Sequence, residues 1–138
     1  MGSEDGKLYA FDARTGETLW TARTGGYIHS SPAVANGIVY IGSTDDKLYA
    51  LNASTGAMIW SVSSRDVIHS SPTVANGIVY VGSQDSKLYA LDARTGRMLW
   101  TYTAGNVIDS SPTIANGVVY VGSWNGKLYA FHLTNGAA

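Results

Sequence analysis

Apolar residues come in short blocks along this chain, separated by turns built from Gly, Asn, Asp, Ser and Thr. From Ser30 the pattern predicts four strands in succession. "SSPAVA" (Ser30–Ala35) is the first. Asn36-Gly37 then forms a two-residue hairpin turn, because both central positions of a type I′ turn need positive φ. "IVYIGS" (Ile38–Ser43) is the second strand, and the polar "TDD" turns the chain. "KLYALNA" (Lys47–Ala53) is the third. "STG" reverses the chain with Gly56 at a left-handed position. "AMIWSVS" (Ala57–Ser63) is the fourth. The blocks "IVYI" and "LYAL" are apolar on both faces, which marks strands covered on both sides.

The four-strand pattern repeats with an offset of 40 residues and no insertion. "KLYA" starts at Lys7, Lys47, Lys87 and Lys127, "SSP" at Ser30, Ser70 and Ser110, and "ANG" at Ala35, Ala75 and Ala115. Gly42–Val81 and Gly82–Val121 share 25 of 40 positions, so the copies descend from duplication or from deliberate construction. The repeats are 2–41, 42–81, 82–121 and a partial 122–138. A meander of four strands with two covered faces predicts stacked sheets, and radial stacking of such sheets is a β-propeller. The fold class is therefore all-β: a β-propeller of four-stranded antiparallel blades.

Composition narrows the function. The formal net charge is −1 and 14% of residues are charged, without the basic stripe of a nucleic-acid surface. No apolar run approaches the roughly 18 residues of a membrane-spanning helix. Cysteine is absent, which excludes disulfides and thiolate metal sites.

An eleven-residue phrase recurs as "AFDARTGETLW", "ALNASTGAMIW" and "ALDARTGRMLW". Asp12, Asn52 and Asp92 are short acceptors placed to bond the amides of the next turn, and Thr15, Thr55 and Thr95 can do the same. Gly16, Gly56 and Gly96 permit the reversal. Trp20, Trp60 and Trp100 fall on the outermost strand, where a large ring can pack on the next blade. The phrase thus predicts a blade-to-blade fastener. Together with "GIVYIGS" and "KLYALDA", it resembles the pyrroloquinoline-quinone (PQQ) repeat family over essentially the whole chain. The resemblance implies a tryptophan docking motif on these twelve residues. It also implies two kinds of relative: eight-bladed alcohol dehydrogenases holding quinone and calcium, and propellers without cofactor, among them an outer-membrane-protein assembly scaffold and bacterial sensor domains. A bacterial extracytoplasmic parent follows from the resemblance; the compartment of this chain does not. The dehydrogenases use a catalytic Asp, a Glu/Asn/Asp calcium shell and often adjacent cysteines. Here Glu4, Asp5, Asp45, Asp46 and Asp85 fall at turns, so the expectation is no enzyme, no catalytic residue and no cofactor.

Naming the strands A to D from the axis outward, the chain reads C-D (7–23), A-D (30–63), A-D (70–103) and A-C (110–133). That is about 3.5 blades, fewer than the roughly 4–8 a propeller needs to close. The last copy, "AFHLTNGAA", has His132 for the Asp, Asn135 for the Thr, and no Trp. The expected partner is therefore the chain itself, in a homo-oligomer closed by exchange between ends, with a dimer giving a six-bladed ring. One strand C per junction is surplus, either Lys7–Ala13 or Lys127–Leu133. The beginning inside a repeat also suits an excised or engineered piece. No nucleic-acid partner is expected, and the sequence names no natural one.

His29, His69 and Asp109 share one repeat position before strand A and are the candidates for a metal or ligand site at the channel mouth. Their placement on different blades argues for solvated polar residues instead. Two further readings follow: a fragment of a PQQ/calcium dehydrogenase, and a ligand-sensing module using the His/His/Asp ring. The turns "SEDGK", "STDDK", "SQDSK" and "SWNGK" lack the ligand count of a calcium loop. Trp124 has no counterpart in the other copies.

Overall fold

In the computed structural model, residues 5–132 are described. They form thirteen strands and no helix. β1 (Lys7–Phe11) and β2 (Thr18–Arg23) make a two-stranded sheet. β3 (Ala33–Ala35), β4 (Ile38–Gly42), β5 (Lys47–Asn52) and β6 (Met58–Ser63) make a four-stranded sheet, in that order. β7 (Thr73–Ala75), β8 (Ile78–Gly82), β9 (Lys87–Asp92) and β10 (Met98–Thr103) make a second. β11 (Thr113–Ala115), β12 (Val118–Gly122) and β13 (Leu128–His132) make a three-stranded sheet. Every pairing is antiparallel.

The turns explain the meander. Asn36-Gly37, Asn76-Gly77 and Asn116-Gly117 all have positive φ, as a type I′ hairpin demands. In each copy the fourth residue of the second turn is also left-handed: Gly6, Asp46, Ser86 and Gly126. Gly16, Gly56 and Gly96 serve the third turn at φ of 75° to 78°.

The innermost strand is shorter than the sequence suggests. It starts at Ala33 rather than Ser30, because the preceding serine turns its side chain to the sheet. Gly42 N–H donates to Ser30 Oγ at 2.8 Å, and Gly82 N–H to Ser70 Oγ at 3.1 Å. The hydroxyl replaces a backbone partner, so the strand ladder begins later. Leu133, expected to end the last strand, lies outside the described residues, as does the lost phrase of the last copy beyond His132.

The core lies between sheets. One cluster joins Tyr40, Leu48 and Ala50 of one blade to Ile68, Val79, Val81 and Leu91 around the next. A second joins Leu8 and Ile28 to Val39, Ile41 and Leu51. Two more fill the last junction around Tyr80, Val119, Leu88 and Ile108. The middle strands β4, β5, β8 and β9 are therefore buried nearly end to end. The innermost strands β3, β7 and β11 approach one another across blades and mark the axial side.

Candidate functional site: blade interfaces and the axial mouth

The eleven-residue phrase folds as a capped turn with a tryptophan clasp. Asp12 Oδ1 accepts from Arg14 N–H at 2.8 Å and Thr15 N–H at 3.1 Å. Asn52 and Asp92 do the same for residues 54–55 and 94–95. Thr15, Thr55 and Thr95 each accept an amide two residues on at 3.2 Å. These bonds favour the ionised carboxylate, so the pKa of Asp12 is lowered, first by the Arg14 amide, and that of Asp92 first by the Arg94 amide.

The clasp crosses between blades. Trp20 Nε1 donates to Ala53 O at 3.0 Å and Trp60 Nε1 to Ala93 O at 3.1 Å. The ring also lies on the glycine of the next copy's turn. A Cβ on Gly56 would come within 2.6 Å of Trp20, and one on Gly96 within 2.7 Å of Trp60. Trp100 sits at the same place on its blade, yet its Nε1 is buried without an acceptor among the described residues. The docking residues Asp12, Thr15, Gly16, Trp20, Asn52, Thr55, Gly56, Trp60, Asp92, Thr95, Gly96 and Trp100 thus all occupy capped turns or clasps, and two clasps of three are closed.

Sequence reasoning missed several interface groups. Tyr40 OH donates to Ala93 O at 2.8 Å, so that one carbonyl takes both Tyr40 and Trp60. Its counterpart Tyr80, wholly buried, has no partner among the described residues. Ile68 and Ile108 lie on Gly42 and Gly82, where an added Cβ would come within 2.2 Å. Serines form a ladder along the axis: Ser31 N–H donates to Ser71 Oγ at 2.7 Å, and Ser71 N–H to Ser111 Oγ at 3.0 Å. Asp45 Oδ2 accepts Gly25 N–H from the linking loop and the hydroxyl of Tyr49. Burial first, then that bond, raises the Tyr49 hydroxyl to about 12. A fixed offset reveals which residues repeat, but not which neighbour each one meets.

The structure brings His29 and His69 closer than their separate blades suggested. Their rings stack at 4.9 Å with 8° between planes. Gln84 Nε2 bridges His69 Nδ1 at 3.2 Å and Asp109 Oδ1 at 3.3 Å. Imidazole lone pairs lie in the ring plane, so two parallel rings direct theirs side by side rather than toward one point. Among the described residues no group of three His, Asp or Glu side chains is arranged to hold a metal ion. Gln84, absent from the sequence-based set, is what joins the candidate residues. Of the serines of "SSP", Ser30, Ser70 and Ser110 bond the backbone of Gly42, Gly82 and Gly122, and Ser71 and Ser111 accept a serine amide of the neighbouring blade. Trp124 is exposed.

Stacked four-stranded sheets fastened by this clasp define a partial β-propeller of PQQ-like repeats. The chain belongs to the family described as outer membrane protein assembly factor BamB, matched over residues 4–138. No curated protein matches by sequence. BamB from Moraxella catarrhalis is similar in structure, with a TM-score of 0.87 and 27% identity; the match covers 97% of this chain and 42% of that one. The computationally designed Ika4 protein shares the fold at TM-score 0.85 and 19% identity, over 96% of this chain and 82% of that one. Quinohemoprotein alcohol dehydrogenase ADHIIG from Pseudomonas putida HK5 matches at TM-score 0.68 and 26% identity, over 75% and 19%. The chain thus spans less than half of the BamB it resembles.

Proposed function

We propose that this chain is a non-catalytic propeller scaffold that assembles with copies of itself by complementing strands and blades. The completed ring then offers its rim and channel to a protein or small-ligand partner. One observation carries the reading: among the described residues, the first and last sheets are partial blades with complementary strands. β1–β2 is an outer half-blade and β11–β13 an inner three-quarters. At one end, buried donors on Tyr80 and Trp100 lack acceptors among the described residues. At the other, Phe11 and Val34 are 46% and 65% exposed beside an open groove. Open sheet edges and apolar faces of this kind favour association, and a head-to-tail contact of complementary ends closes when the rotation permits. A second copy suits both ends because each junction would repeat one already present within the chain.

Mass in solution tests this. Native mass spectrometry should give twice the mass of one chain, for a six-bladed ring. A stable, folded monomer overturns the proposal. The likeness to ADHIIG favours a second reading, a dehydrogenase fragment. It requires that quinone with calcium change the absorbance and support dye reduction; the scaffold reading expects neither.

A further inference from the structure

We infer that the β1–β2 hairpin of one copy completes the last blade of the next by replacing β13, which is therefore the displaced strand. This rests on the assembly reading above and specifies its junction. Each junction brings together two copies of strand C, and only one fits between β12 and a strand D. The competitors are identical where they pair: Lys7–Phe11 and Lys127–Phe131 both read KLYAF. Exchange of one for the other leaves the strand's own side chains unchanged, so the neighbouring turn decides.

β1 reaches its strand D through an intact turn. Asp12 N–H donates to Glu17 O at 2.8 Å and Gly16 N–H to Asp12 O at 2.9 Å. The amides of Arg14, Thr15 and Glu17 are held by Asp12 and Thr15 side chains. Keeping β13 in the ring would pull β1 from β2 and open all five bonds. The sequence after β13 lacks these capping groups: His132 stands where the other copies have Asp or Asn, and Asn135 where they have Thr. A hairpin entering as a unit keeps its turn and brings both missing positions.

The incoming hairpin also fits what the last blade leaves open. Within the chain, Ala93 O accepts Tyr40 and Trp60. The same register places Ala13 O of a second copy before Tyr80 and Trp100, whose polar hydrogens are buried without acceptors among the described residues. Gly56 and Gly96 lie under Trp20 and Trp60, whereas Gly16 has nothing within 4 Å of its Cβ position. Gly16 of the second copy is thus a seat for Trp100. Gly122 is likewise open, with Ser110 Oγ nearest at 3.7 Å, and Ile28 of the second copy matches Ile68 over Gly42. In return β12 enters the groove lined by Leu8, Phe11, Val34 and Val39, and Tyr120 reaches Ala53 O, which among the described residues accepts Trp20 Nε1 alone. The serine ladder ending at Ser111 continues to Ser31 of the second copy.

Hydrogen exchange on the full-length oligomer reads the choice directly, since the two KLYAF segments lie in different peptides. The β1 amides should be protected and those of β13 should exchange at near-unprotected rates. Two proline variants give an independent reading. Ala130→Pro should leave copy number and melting temperature unchanged, whereas Ala10→Pro should abolish assembly. A dimer in which β13 is protected and Ala130→Pro prevents assembly overturns the inference while leaving self-assembly intact. A monomeric mass overturns both.

Discussion

Asp46 and Ser86 hold φ of 72° and 75° where the first and last copies carry Gly6 and Gly126. A side chain in this region is strained, and only the surrounding turn keeps it there. Neither residue needs its side chain for the turn, since Asp46 and Ser86 act through backbone carbonyls accepting Ser64 and Ala104 N–H at 2.7 Å. Asp46→Gly and Ser86→Gly should each raise stability by about 0.5–1 kcal/mol, after the greater unfolded-state freedom of glycine is subtracted. The denaturant midpoint at fixed protein concentration reads the gain. A second residue-scale prediction follows from the capped turns. The carboxyls of Asp12 and Asp92 titrate below their ordinary range because backbone amides bond the charged form. A depressed folded pKa contributes stability that is present above the unfolded value of about 4 and is lost as pH falls through the folded one. Asn52 makes the same bonds without titrating. Asp12→Asn with Asp92→Asn should therefore move acid unfolding to lower pH and leave neutral stability unchanged, as circular dichroism against pH would show.

At the scale of elements, the clasp and its turn work as one unit. Gly96 and Gly77 have nearly equal φ, 77° and 76°, but only Gly96 lies under a neighbour's tryptophan. Gly77→Ala should cost about 1 kcal/mol for backbone strain alone. Gly96→Ala should cost about 1–3 kcal/mol more, because its Cβ would push on Trp60. Equal losses in thermal or chemical unfolding would show that the ring does not rest on this turn. The contrast also shows what was legible in the sequence. The Asn-Gly turns, the strand blocks and the Trp-bearing outer strand all follow from local chemistry repeated at one spacing. Tyr40 on Ala93, Ile68 on Gly42 and the serine ladder do not, because each is made where one blade meets its neighbour or the loop leading to it. A glycine in a strand signals close approach, yet nothing local says that isoleucine arrives there. The early end of "SSPAVA" was hidden for another reason: the Ser30 side chain bonds Gly42 on the neighbouring strand of its own blade. The His29–His69 stack depends on how closely adjacent blades approach at the axis.

For the whole molecule, unit number and ring size separate in a testable way. The junction between the two complete blades combines a tryptophan on a turn, a tyrosine on a carbonyl and an isoleucine on a glycine, and the proposed ring repeats this set at every junction. If this repeated contact sets the angle between neighbours, the ring fixes the number of blades and not the number of chains. Three blades per chain, counting the shared one, then require two chains for six. Deleting one unit, Gly42–Val81, keeps both unfinished ends and leaves two blades per chain. Because the offset is uniform, Ile41 is then followed by Gly82, which occupies the same repeat position as Gly42. The shortened chain should form a trimer with the same six blades, so the copy number in native mass spectrometry rises from two to three. A dimer of the shortened chain would give four blades and show that the ends, rather than the blade angle, choose the stoichiometry. Unlimited polymers would show that the angle does not close at all, since a head-to-tail contact that misses closure grows without bound.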